Sequence, residues 1–261
     1  MPADDLPAWF RPLAERLLDM RGEDLSAFVP PDDANPREGA VLVLFGDGPE
    51  GPDVLLTERG HAMRSQPGQV SFPGGGLDPG ETAVEGALRE ALEETGLDPS
   101  GVEIVAVIPR IWLPPRNFAV ATVVGFWRQP SNVRVVDPVE VHAVFREPIS
   151  KLLDPKRRFS VKHPLGWAGP GWMVGPDEDV LLWGFTAGIL NAIFDFVGWT
   201  QPWDQDDVRG LPERHLDWPR IAEFLGIEVE DFDSFDPVEA GLVSEEYFDL
   251  DRDHKSSNEG A

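Results

Sequence analysis

Arg89, Glu90, Glu93 and Glu94 stand in the run GGLDPGETAVEGALREALEETGL over residues 75–97, which Gly75 opens and Gly74 precedes. At ~100° per residue around a helix axis, Glu90, Glu93 and Glu94 crowd one side, while Val84, Leu88, Ala91 and Leu92 take the other. The segment therefore predicts a helix with a core face and a concentrated carboxylate face. Like charges four residues apart repel by a few tenths of a kcal/mol, so Glu90 and Glu94 gain from a cation held between them. Oxygen-only ligands of this kind suit Mg²⁺ or Mn²⁺. Gly74 and Gly75 remove side chains where backbone must approach a metal or a phosphate.

The ends of this helix carry their own signals. Pro79-Gly80 makes a turn, and Thr82 with Glu85 three residues later has capping-box spacing. Gly96 sits where a C-cap glycine belongs, with Pro99 shortly after. Arg89 has Glu85 four residues before it and Glu93 four after it, so it can bridge them and orient the acidic face.

Gly75, Glu81, Arg89-Glu90, Glu93-Glu94 and Gly96-Leu97 stand at the intervals of a Nudix box, with Ala91 replacing the usual larger aliphatic. The chain thus resembles the Nudix hydrolases, which cleave a nucleoside diphosphate linked to another moiety. The resemblance implies an α/β chain of Nudix fold, an α/β/α sandwich with a mixed sheet. It implies Glu90 and Glu94 as metal ligands beside Gly75, with Glu93 an auxiliary ligand and Arg89 holding the face in place. In such enzymes a base often comes from outside the box. Glu140, in the loop Asp137 to Val141, is the candidate, and Glu90 competes for the role.

The segment before the box narrows the substrate. Leu55-Leu56-Thr57-Glu58-Arg59, then Arg64, Gly68 and Phe72-Pro73-Gly74-Gly75, is similar to the signature of the coenzyme A diphosphatase subgroup. Gly60 replaces the usual Ser or Ala, and Arg116-Asn117 replaces a Ser-Gly pair in a later Pro-rich loop. The resemblance implies a small nucleotide substrate, coenzyme A or a derivative, cleaved to 4′-phosphopantetheine and adenosine 3′,5′-bisphosphate. Arg59, Arg64 and Gly74 are then the substrate-binding candidates, the two guanidiniums forking onto phosphate oxygens. Another nucleoside diphosphate, such as ADP-ribose, or a non-catalytic binding role are the alternatives. A basic island, Lys156-Arg157-Arg158 with Lys162, reads as a solvated loop or as a contact for the 3′-phosphate end. The histidines, among them His61, His142 and His163, have no metal-site spacing and are expected to be structural.

The elements that must position these residues come from the rest of the 261-residue chain. Three parts are expected: an N-terminal helix and loop over residues 1–38, the catalytic domain over 39–200, and an acidic extension over 201–261, partly disordered. Strands are expected at 40–45, 54–57, 102–108, 118–127, 141–146 and 172–174, and helices at 8–21 and 179–196. A net charge of −25 argues against nucleic-acid and anionic-membrane partners. There is no cysteine, no basic-then-apolar start and no spanning apolar run, as expected of a cytoplasmic protein. The family likeness also allows a homodimer.

Overall fold

Strand β1 (Arg37–Gly48) is the hub. It forms a hairpin with β2 (Gly51–Arg59) and lies parallel to β6 (Phe118–Trp127), with Arg37 opposite Phe118 and Phe45 opposite Phe126. The computed structural model of the chain describes residues 5–25, 35–63, 66–113, 117–229, 232, 235–244 and 247. Sheet order runs β3 (Val70–Ser71), β2, β1, β6, β5 (Val102–Leu113), with β4 (Gly74–Gly76) paired to β1 and β7 (Val141–Pro148) paired to β2. One parallel pair among antiparallel ones makes the sheet mixed, as expected.

Helices cover both faces. Successive strand residues point to opposite sides, and β1 divides accordingly. Ala40, Leu42 and Leu44 join Leu55, Val123 and Trp127 under α3 (Ala83–Thr95). Val43 and Phe45 join Val54, Leu56 and Val124 on the other face, against α1 (Arg11–Leu17) and α5 (Gly184–Val197). Phe10, Leu13 and Leu17 are fully or nearly fully buried there, so the N-terminal helix is part of this core. Short helices α2 (Gly22–Leu25), α4 (Ile149–Leu153) and α6 (Trp218–Leu225) complete the set described.

A second sheet was not expected. It runs β10 (Val180–Leu182), β9 (Ala168–Val174), β8 (Arg158–Lys162), β11 (Val208–Gly210), with β11 parallel to β8. Two readings change with it. The span 179–196 is not one helix: Val180–Leu182 is strand, and helix begins at Gly184. The basic island is a solvated loop only in part, with Lys156 and Lys162 exposed. Arg158 is buried, its guanidinium 5.2 Å from the Trp172 ring centre and 4.3 Å from that of Trp203. Arg157 and Lys151 both pair with Glu178. The Pro-rich segment 114–116, residues 26–34 and residues 248–261 lie outside the described residues. Among the described residues no helix is long and apolar enough to cross a membrane.

Candidate active site

The carboxylate helix is fixed at both ends as its sequence directs. The Thr82 hydroxyl accepts from the Glu85 N–H at 3.3 Å, and the Glu85 carboxylate accepts from the Thr82 N–H at 2.9 Å. Gly96 caps the other end in the left-handed region, at φ 70°. With both ends anchored, the axis carries Ala87 and Ala91 into the core and leaves Glu90 and Glu94 beside β4. Leu92, placed on the core face from sequence, is instead 46% exposed, because that face turns toward Ala87 and Ala91.

Glu94 is buried and accepts from the Gly74 N–H at 3.2 Å. Burial pushes its carboxyl up to about 8; the Gly74 bond and Arg59 oppose the shift, and Glu90 and Glu140 add to it. The Glu90 carboxyl is likewise raised, by burial first, against the pull of Arg89 and with the push of Glu93 and Glu140. Acids from the helix and from the 137–141 loop therefore share one field with the Arg59 guanidinium. Glu93 sits farther out, its side chain 58% exposed.

Arg89 is the organiser, though not between the partners its spacing suggests. Its Nε and Nη2 donate to both oxygens of Glu81, at 2.9 and 3.0 Å. Its Nη1 donates to Glu90 at 3.0 Å and Glu93 at 3.1 Å, and Nη2 also to the Gly76 carbonyl at 2.9 Å. Glu85 is absent from this set because its carboxylate is committed to the cap. Hydrogen bonding from Arg89 holds the Glu81 carboxyl below its usual range.

The two glycines are required by proximity. A Cβ on Gly75 would lie 2.5 Å from Glu90 Oε1, and one on Gly74 would lie 2.4 Å from the Ala40 carbonyl. The cleft beside them is lined by Arg59, Gly74, Gly75, Phe118, Trp183 and Phe185, among others. The last two enter from the junction of β10 and α5, so the second sheet builds one wall. Arg64 lies outside the described residues.

Gly60 is the residue whose importance the sequence hides. A Cβ there would lie 2.1 Å from the Val139 carbonyl, and the Gly60 N–H donates to the Glu140 carbonyl at 2.8 Å. The loop carrying Glu140 is thus pressed onto the end of β2, next to Arg59.

Comparison with known proteins places this arrangement. Residues 35–158 match the NUDIX domain family. NudL of Enterobacter sp. strain 638, an uncharacterised Nudix hydrolase, is 37% identical over 168 residues, covering 62% of this chain and 83% of NudL. The chain belongs to the Nudix hydrolase family. The mitochondrial Nudix hydrolase 15 of Arabidopsis thaliana is 35% identical over 173 residues, and the match spans 61% of this chain and 58% of the plant protein. Among solved structures, the Nudix hydrolase RenU of M. smegmatis is 18% identical, with 62% of this chain and 86% of RenU covered at a TM-score of 0.39. Within the Nudix box, Gly75, Arg89, Glu90, Glu93 and Glu94 are gathered at one place in this fold, with Glu81 as the arginine's anchor. Arg59 and Glu140 reach the same place from outside the box.

The donors suit a divalent cation on two counts. Glu90 and Glu94 are both driven toward their neutral forms, by burial first, so a cation beside them would favour the ionised forms. The missing Cβ of Gly75 lets the Glu90 carboxylate lie against the glycine backbone, whose carbonyls are further oxygen donors. Glu90, Glu94 and the Gly75 carbonyl would hold such ions, with Glu93 at the solvent edge.

Proposed function

We propose that this chain is a Mg²⁺- or Mn²⁺-dependent diphosphatase of coenzyme A or its derivatives, releasing 4′-phosphopantetheine and adenosine 3′,5′-bisphosphate. The observation that carries the reading is the convergence of Glu90, Glu94 and Arg59 on the Gly74-Gly75 backbone, beside a cleft with aromatic walls. Bound there, divalent ions would screen the diphosphate and lower the pKa of the attacking water. The protein's own groups supply the rest. Arg59 meets phosphate oxygens and orients the diphosphate. Glu140 accepts the proton that water loses as its oxygen bonds to phosphorus and the bridging oxygen departs; Glu90 is the competing acceptor. Arg89 keeps Glu90 and Glu93 in register, and Phe118, Trp183 and Phe185 offer flat apolar surface to the organic parts of the substrate.

The choice of coenzyme A rests on the spacing from Leu55 to Gly75. It is tested by turnover of coenzyme A against ADP-ribose on the purified chain with Mg²⁺, with products identified. Preference for coenzyme A is expected; equal rates or a preference for ADP-ribose would leave a Nudix hydrolase of a different nucleoside diphosphate. Equal activity of wild type and the Glu94→Gln protein would instead indicate a binding role without turnover.

A further inference from the structure

Strand β2 ends with two adjacent charged residues that face different surroundings. Arg59 joins the carboxylates of α3. Glu58 follows the alternation of Val54 and Leu56, which belong to the core on the opposite side of the sheet. Its carboxylate is buried, with only 9% of the side chain exposed, and Oε1 lies 2.8 Å from Nε2 of His61. The β2–β7 ladder shifts register between Glu58 and Arg59: Glu58 lies opposite Ala143 and Arg59 opposite Val141. His142 is thus the extra residue of a bulge, a device that re-aims a side chain. It turns toward His61, the two rings meeting edge to face with centres 4.4 Å apart. The donor atoms of Glu58, His61 and His142 all lie within 4.8 Å of one another.

We propose that these three side chains form a second cation site, selective for a zinc-class ion rather than for Mg²⁺. A buried carboxylate costs free energy unless it is paired, and a metal ion would pair Glu58 while taking the imidazole nitrogens beside it. Two imidazole nitrogens and one carboxylate oxygen are the donor set of Zn²⁺ sites that keep a fourth position open. Mg²⁺ prefers the oxygen-only set that α3 offers. A contraction of the His142 contact brings all three donors to metal-bond distance, and the exposed histidines leave room for it. The sequence alone conceals the site, since residues 58, 61 and 142 show no ligand spacing until the bulge joins them. An ion there would clamp the end of β2 to the start of β7, two residues from Glu140 and one from Arg59.

The test uses the full chain without an affinity tag, stripped of metal and then titrated with Zn²⁺ against a chromophoric chelator in saturating Mg²⁺. One Zn²⁺ per chain is expected. Affinity should fall at least about tenfold in His61→Ala and in His142→Ala, since even the loss of a residue that merely supports a ligand costs 10–100-fold. Glu58→Gln should weaken binding as well. The Glu90→Gln/Glu94→Gln protein should bind Zn²⁺ as tightly as wild type. Equal Zn²⁺ affinity in wild type and both histidine variants would overturn the proposal, as would loss of Zn²⁺ from the double glutamine protein. Both histidines are exposed, so their removal leaves the fold intact, and circular dichroism of each variant checks that.

Discussion

At the scale of single residues, Glu94 is the most informative side chain, because burial holds its carboxyl near 8. That value lies above the unfolded one of 4.5. The metal-free protein therefore draws stability from the group fully below the unfolded pKa, and loses it as pH rises through about 8. A bound cation requires the ionised form, so Mg²⁺ uptake near pH 7 should release about one proton from this carboxyl. Calorimetric titration in buffers of different ionisation enthalpy measures that number, and Glu94→Gln should abolish it. The same substitution should lower kcat at least about a hundredfold, since an ion at the reacting phosphate contributes several kcal/mol to the transition state. If Glu140 is the proton acceptor, Glu140→Gln should cost about 10²–10⁴ in kcat with little change in KM. Residue placement was largely legible from spacing: Glu90, Glu94 and the Gly74-Gly75 backbone come together as the intervals require. Of the partners of Arg89, Glu93 was legible and Glu81 was not. Spacing offered Glu85 and Glu93, but capping diverts Glu85 and the turn before the helix supplies Glu81.

Elements were legible where their ends carry local signals. The helix Ala83–Thr95 has a capping box at one end and a left-handed glycine at the other. The strand Phe118–Trp127 is a run rich in β-branched and aromatic residues, with the bounds expected. Thr82→Ala should destabilise the protein by about 1 kcal/mol, read as a fall of roughly 2–4 °C in Tm for a chain of this size. Of the second sheet only the end of β9, at residues 172–174, was legible. Val180–Leu182 merges with the apolar helix that follows, and such runs are not separable by periodicity. Gly60 was also underrated: replacing Ser or Ala by glycine looks mild until the Val139 carbonyl is seen where a Cβ would go. Gly60→Ser should push the 137–141 loop away at a cost of about 1–3 kcal/mol. Urea unfolding would measure that loss, and kcat should fall with it because Glu140 moves with the loop.

Across the whole molecule, burial sets the acid response. His163 and His215 are both pushed down to about 4, by burial in each case, with Arg214 and His61 adding to the shift at His215. Their stabilising effect is complete above the unfolded pKa of 6.5 and is lost as pH falls through 4. In the Glu94→Gln protein, free of the largest of the opposing carboxyl shifts, the urea midpoint should drop between pH 7 and pH 5 with an unchanged m-value. The parallel pairing at the centre of the first sheet bears on how the chain is made. Arg37 waits for Phe118, 118 − 37 = 81 residues later, and the acidic helix lies within that span. At ribosomal rates of roughly 5–20 residues per second, one edge of the hub strand stays unpaired for several seconds. A nascent chain halted after Leu97 and before Phe118 would hold every residue of the box and yet lack the strand that completes the scaffold beneath it.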